Sequence, residues 1–201
     1  KETIMKKILY SVALAACCMG TMTSCSDFLD ASNKSNVTAK QSFATKEGLN
    51  NLVNNAYQHL QNVYAAPLFT SCFSAGTDMY ADARNKMNEA LNTYETLTPE
   101  NTDIKNLYTY LYAGIRAANS VSYYAQTAQV DDKTKGQLVG EARVLAAYEY
   151  YLLVNNFGGV PIMKDFLTTA DTGYPKSSAA DVYAYIINEL EDVISKNVLQ
   201  A

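Results

Sequence analysis

Between residues 76 and 85 the sequence gathers side chains suited to holding a small polar molecule. Tyr80 is followed closely by Arg84 and Asn85. An aromatic ring stacks on the apolar face of a sugar, while guanidinium and amide groups hydrogen-bond its hydroxyls. These three residues are therefore the candidate ligand-binding residues. The alternative is a solvated loop whose tyrosine packs into the core.

The same segment carries two acids, Asp78 and Asp82. A glycosidase needs two carboxyl groups that flank the bond to be cleaved. No histidine or metal-binding motif accompanies this pair, so we expect binding at this segment and no catalytic residues.

The chain offers few ligands for metals. Its one histidine is His59, and we place it on the polar face of a helix. Structural zinc requires several Cys or His ligands at close spacing. We expect no metal site and no cofactor.

The first 24 residues read as an export signal. Lys6 and Lys7 precede an uncharged, largely apolar run that is too short to cross a bilayer. The stretch 22–25 resembles a lipobox, which predicts cleavage before Cys25 and acylation of that cysteine. An ordinary secretory signal is the alternative. Loss of Cys17 and Cys18 with the signal would leave Cys72 as a free thiol without an intrachain disulfide.

Charge excludes nucleic acid as a partner. The formal net charge is −4, and the arginines stand far apart at positions 84, 116 and 143. Binding to phosphates needs clustered basic residues.

Apolar periodicity predicts four amphipathic helices. The first runs over 46–64 with Thr45 as its cap, and the second follows Thr98-Pro99-Glu100, with Thr98 as its cap. The third begins at Asp131-Asp132 and stops at Gly158-Gly159, and the last opens at the capping box 178–181. Most of 68–97 has no sustained period and is predicted as loop. The fold class is all-α, with antiparallel helix pairs of the tetratricopeptide type joined by long loops.

Two other features of the third helix suggest structural roles. Glu141 and Arg143 cannot share a helix face, so we expect ion pairing rather than chemistry. Tyr148, Tyr150 and Tyr151 are expected to pack between helices with their hydroxyls at the rim. Tyr123 and Tyr124 could belong to a partner interface.

Four stretches, in order, resemble the RagB/SusD family. They are the mature N-terminus at 25–30, Gly-Ile-Arg-Ala-Ala-Asn at 114–119, the long motif at 140–161 and the segment at 175–190. The chain departs from the family's usual arginine at Ala146 and Lys176.

The resemblance implies a surface-exposed lipoprotein of the outer membrane. Such a protein works with a TonB-dependent, SusC-like transporter and passes it oligosaccharides or, in some relatives, peptides. Family members are longer, so we expect this chain to be an N-terminal part. The expected division is a signal peptide at 1–24, a lipidated tether at 25–44 and a helical domain at 45–201. A helical assembly lipoprotein without a small ligand, and a periplasmic glycosidase, remain the alternatives.

Overall fold

Helices make up most of the chain described by the computed structural model, which covers residues 38–65, 67–80, 89–169 and 173–199. The predicted signal, Cys25, Asp82, Arg84 and Asn85 lie outside these ranges. The elements are α1 (Ala39–Ser42), α2 (Lys46–Tyr64), a π-helical turn (Thr70–Ser74), α3 (Glu89–Thr93), α4 (Thr102–Ala125), α5 (Asp132–Phe157) and α6 (Ala179–Ser195). Within these ranges the only β-type pairs are the isolated bridges Thr77–Tyr80 and Pro161–Lys176. The all-α prediction is confirmed.

Side-chain caps set the starts of the long helices. The Thr45 hydroxyl accepts from the Gly48 N–H at 3.1 Å and opens α2. Ser178 and Asp181 form the predicted reciprocal capping box of α6. Each cap satisfies an amide that the first helical turn leaves unpaired.

One predicted cap is wrong. Asn101, not Thr98, opens α4, because its Oδ1 accepts from both the Asp103 N–H at 3.0 Å and the Ile104 N–H at 3.2 Å. Thr98 instead accepts through its carbonyl from the Asn101 N–H at 3.0 Å, which makes a turn before the helix. An amide oxygen that satisfies two unpaired donors outcompetes a hydroxyl farther from the helix.

Successive long helices pack antiparallel and form two hairpins, α2 with α4 and α5 with α6. The Gln129 N–H donates to the Ala44 carbonyl at 2.8 Å, which joins the end of α4 to the start of α2. The Ser177 N–H donates to the Val160 carbonyl at 3.1 Å and places the start of α6 beside the end of α5. Helix α2 also contacts α5, so the hairpins stack in the tetratricopeptide manner. Buried apolar residues from all four helices fill the interior, among them Leu49, Val53, Leu111, Ile115, Ala142, Leu153 and Val182.

The segment 68–97 contains more helix than predicted. The π-helical turn and α3 both lie in it, and each has one buried residue, Ser71 and Leu91 respectively. Turns this short cannot show a repeating apolar period, which explains why the sequence pattern missed them.

The three tyrosines near the end of α5 differ in burial, whereas all three were predicted to pack between helices. Tyr150 is fully buried, and its hydroxyl accepts from the Met163 N–H at 2.7 Å. Tyr148 and Tyr151 are 40% and 47% exposed, so these two rings are only partly covered, although the Tyr148 hydroxyl reaches Tyr64 on α2. Each residue turns a helix by about 100°, which sends neighbouring side chains to different faces. Gly158, with φ of 69°, ends α5 as predicted.

Candidate functional site

Of the three predicted ligand residues, the described ranges place only Tyr80. It is half-buried and pairs with Thr77 in a β-bridge that closes a tight turn. Arg84 and Asn85 lie outside the described residues. The structure therefore does not test whether the three side chains form one site. Asp78 is exposed in the same turn, and its expected companion Asp82 lies outside as well.

Gly76 connects the two parts of this segment that the structure describes, its flanks at residues 75–80 and 89–94. Its N–H donates to Asn92 Oδ1 at 3.4 Å. Its φ is 75°, and an added Cβ would lie 2.3 Å from the Tyr94 hydroxyl oxygen. Only glycine satisfies both the left-handed backbone and this close approach. Residues 75–80 and 89–94 are therefore held side by side.

A cavity of about 290 Å³ opens beneath these flanks. We call it the loop-side cavity. Its lining comes from the π-helical turn, α3, the loop after it, α4 and the end of α5: Ser71, Cys72, Ala75, Leu91, Tyr94, Leu97, Ile104, Leu107, Asn155, Asn156 and Phe157.

The loop-side cavity combines an apolar base with a hydrogen-bonding rim. Leu91 and Leu107 are buried, whereas Tyr94 is 58% exposed. The side-chain amide of Asn155 donates to the Tyr151 carbonyl at 2.6 Å, and its Oδ1 accepts from the Tyr183 hydroxyl at 3.2 Å. The Asn156 amide donates to the Leu152 carbonyl at 2.7 Å. Both asparagines are thus held in place, as a site for an uncharged polar ligand requires.

Cys72 lines the cavity as a thiol. Burial, followed by the negative charge of Asp103, raises its pKa to about 12. The thiol is therefore protonated at neutral pH and is a poor nucleophile.

Nothing in the described part of the chain makes His59 part of a metal-binding cluster. It is half-buried, and burial lowers its pKa. Its Nδ1 is shielded and finds no hydrogen-bond partner among the described residues. In those same ranges no three His, Cys, Asp or Glu side chains come together as a metal site would require.

Of the two charged residues predicted to form ion pairs on the third predicted helix, Arg143 does so. Arg143 Nε donates to Glu189 Oε2 at 2.7 Å, and its guanidinium also pairs with Asp192. Glu141 instead accepts from the Tyr57 hydroxyl at 2.8 Å. The two residues therefore point to different neighbours, α6 and α2.

Sequence reasoning missed two features. Glu149 is completely buried on α5 although it is ionisable. Tyr57 and Tyr64 are 44% and 42% exposed on α2, where they line a groove. The available signal for the groove was the seven-residue spacing of two tyrosines on a polar helix face.

A family model for SusD-like proteins matches residues 27–198, and its description reads starch-binding, associating with outer membrane. None of the helices in the described ranges is both long and apolar enough to cross a membrane.

Among curated proteins, the SusD-like protein P38 of Formosa agariphila is 27% identical over 179 residues. That alignment covers 87% of this chain and 34% of the relative. The chain thus spans about a third of the length of this relative.

Solved structures share the fold. Surface glycan-binding protein A from Bacteroides uniformis is 25% identical with a TM-score of 0.64, over 76% of this chain and 35% of that protein. A laminarin-binding SusD-like protein is 20% identical with a TM-score of 0.63, over 73% of this chain and 33% of its own.

Proposed function

The chain belongs to the SusD-like family, and from that premise we propose that it captures glycans at the cell surface for an outer-membrane transporter. In this proposal the ligand is an oligosaccharide or a peptide, and the partner is a TonB-dependent, SusC-like transporter. The protein holds its ligand without altering it.

The loop-side cavity carries this proposal. Tyr94 offers an exposed ring beside a buried apolar base, and Asn155 and Asn156 place amides at the rim. A sugar presents one apolar ring face and a rim of hydroxyls, so this combination suits it. We propose that Arg84 and Asn85, which lie between the two flanks in the sequence, complete the site with Tyr80.

The groups that line the cavity suit noncovalent binding of a polar ligand. Its lining consists of amides, hydroxyls, apolar side chains and one protonated thiol.

The proposed localisation depends on the N-terminal residues. Residues 1–24 are proposed to be removed, and Cys25 is proposed to carry the acyl chains that hold the protein in the outer membrane. Two or more acyl chains give stable anchoring without a spanning helix. Residues 25–44 lead to the helical domain at 45–201.

Isothermal titration of the full chain tests the function. Starch, laminarin, their short oligosaccharides and a peptide panel are the probes. We expect binding to at least one of them and no new reducing ends on prolonged incubation. Release of reducing ends would instead indicate a glycosidase. An empty panel together with a co-purifying protein would support an assembly lipoprotein.

A further inference from the structure

A groove of about 540 Å³ runs along the exposed side of α2, at the edge of the buried stripe of that helix. We call it the tyrosine groove. It is lined by Asn54, Tyr57, Gln58, Leu60, Gln61 and Tyr64. All six side chains are uncharged, and three of them are amides.

Contacts with α5 hold the two tyrosines in place. The Tyr57 hydroxyl donates to Glu141 Oε1 at 2.8 Å, and the Tyr64 hydroxyl is hydrogen-bonded to that of Tyr148. Both pairs join residues 84 positions apart, because α2 and α5 lie parallel in the same register. The rings remain 44% and 42% exposed although their hydroxyls are bound. A ligand would therefore meet rings that are already ordered.

The aromatic surface continues from the tyrosine groove toward the loop-side cavity. Tyr148 stacks on Tyr151 with ring centroids 6.2 Å apart and an interplanar angle of 21°. The Tyr151 carbonyl accepts from the side chain of Asn155, which lines the loop-side cavity. Exposed tyrosine rings therefore extend from the tyrosine groove to within about one helical turn of Asn155, which lines the loop-side cavity.

The chemistry of the tyrosine groove selects its ligand. Without a cation in its lining it does not attract phosphates, and with one leucine among its six residues it offers few aliphatic side chains to a partner helix. Ring faces that alternate with amides suit a chain of neutral, hydroxyl-rich rings. Tyr57 and Tyr64 are two helical turns apart, about 10.5 Å, which is the scale of a disaccharide.

We propose that the tyrosine groove is a second glycan-contact site, continuous with the loop-side cavity, that binds the distal part of a long polysaccharide. This inference rests on the proposed function, since the first site must bind the same chain. Two linked contacts raise the apparent affinity for a polymer without changing that for a short oligosaccharide.

The test compares starch and laminarin with their short oligosaccharides on the full chain, using polysaccharide-containing native gels and titration calorimetry. The double variant Tyr57→Ala/Tyr64→Ala is expected to bind the polysaccharide about tenfold or more weakly, with oligosaccharide affinity unchanged. Tyr123→Ala is the matched control, because Tyr123 is 44% exposed, as Tyr57 is. Circular dichroism checks folding, and Gln58→Ala/Gln61→Ala, which changes only exposed side chains, serves if the first variant unfolds.

The outcomes separate the two proposals. If wild-type protein binds polysaccharide and both groove variants bind it equally well, the tyrosine groove proposal is wrong and the proposed function stands. If the wild-type chain binds neither polymer nor oligosaccharide, the tyrosine groove proposal is overturned, and the peptide panel then decides the proposed function. If the groove variants lose a co-purifying protein while keeping polysaccharide affinity, the groove is a protein interface and the glycan assignment is wrong.

Discussion

The carboxyl group of Glu149 on α5 lies directly against Gly114 on α4, where an added Cβ would be only 1.7 Å from Oε1. Glu149 is fully buried, and neither of its carboxyl oxygens has a hydrogen-bond partner within the described ranges. Burial raises the pKa of this carboxyl from 4.5 to about 9. At neutral pH the side chain is therefore a neutral acid in the contact between the two helices.

This buried acid predicts a pH dependence of stability. Because burial raises the pKa of the folded state from 4.5 to about 9, the stability linked to this proton is fully present below about pH 4.5 and is lost as the pH rises through about 9. Across that window each pH unit lowers the free energy of unfolding by at most about 1.4 kcal/mol. Urea denaturation at several pH values measures the slope, and Glu149→Gln should flatten it. An equal slope in wild type and variant would contradict the assignment.

Gly114→Ala should destabilise the protein by about 1–3 kcal/mol, because the new methyl overlaps the Glu149 carboxyl. Combined with Glu149→Ala, which removes that carboxyl, the cost should be less than the sum of the two single variants. Chemical denaturation of all four proteins gives this coupling. Gly136→Ala is the control, since the Cβ added there would have the flexible tip of the Val198 side chain as its nearest neighbour, at 3.1 Å. Strict additivity would argue against the contact.

Arg143 should contribute to the packing of α5 on α6. It bonds Glu189 at 2.7 Å and also pairs with Asp192, and it is 23% exposed. Arg143→Gln should lower the free energy of unfolding by about 1 kcal/mol, with the loss smaller at high salt. Lys196→Gln, which removes a 59% exposed partner of Asp192, should cost less. A larger cost for the lysine change would reverse this ranking.

Tyr94→Ala should weaken glycan binding at the loop-side cavity by about tenfold, because it removes the exposed ring at the rim. Tyr123→Ala, on α4, should leave the affinity unchanged. Calorimetric titration with short oligosaccharides measures both. Equal affinities for wild type and the Tyr94 variant would place the site elsewhere.

Cys25→Ala should release the protein from membranes, since acylation at that residue is the proposed anchor. Membrane fractionation with detection of the full chain measures the shift to the soluble fraction. Ser26→Ala serves as the neighbouring control. Retention of the Cys25 variant in the membrane would defeat the lipoprotein proposal.

Local sequence patterns alone determined the long helices of this protein. Thr45, Asp131 and the Ser178–Asp181 box mark helix starts as predicted, because a cap and its partner lie within one turn. The ordered motifs likewise indicated the SusD-like family, to which the chain belongs.

Only the tertiary structure decided which side chains meet across the helices. Tyr57 bonds Glu141, and Glu149 is buried against Gly114, although no local pattern links residues so far apart. A helical period shows which face is apolar, but not which neighbour covers each position or leaves it open. The tyrosine groove, the loop-side cavity and the neutral acid all depend on that pairing of distant residues.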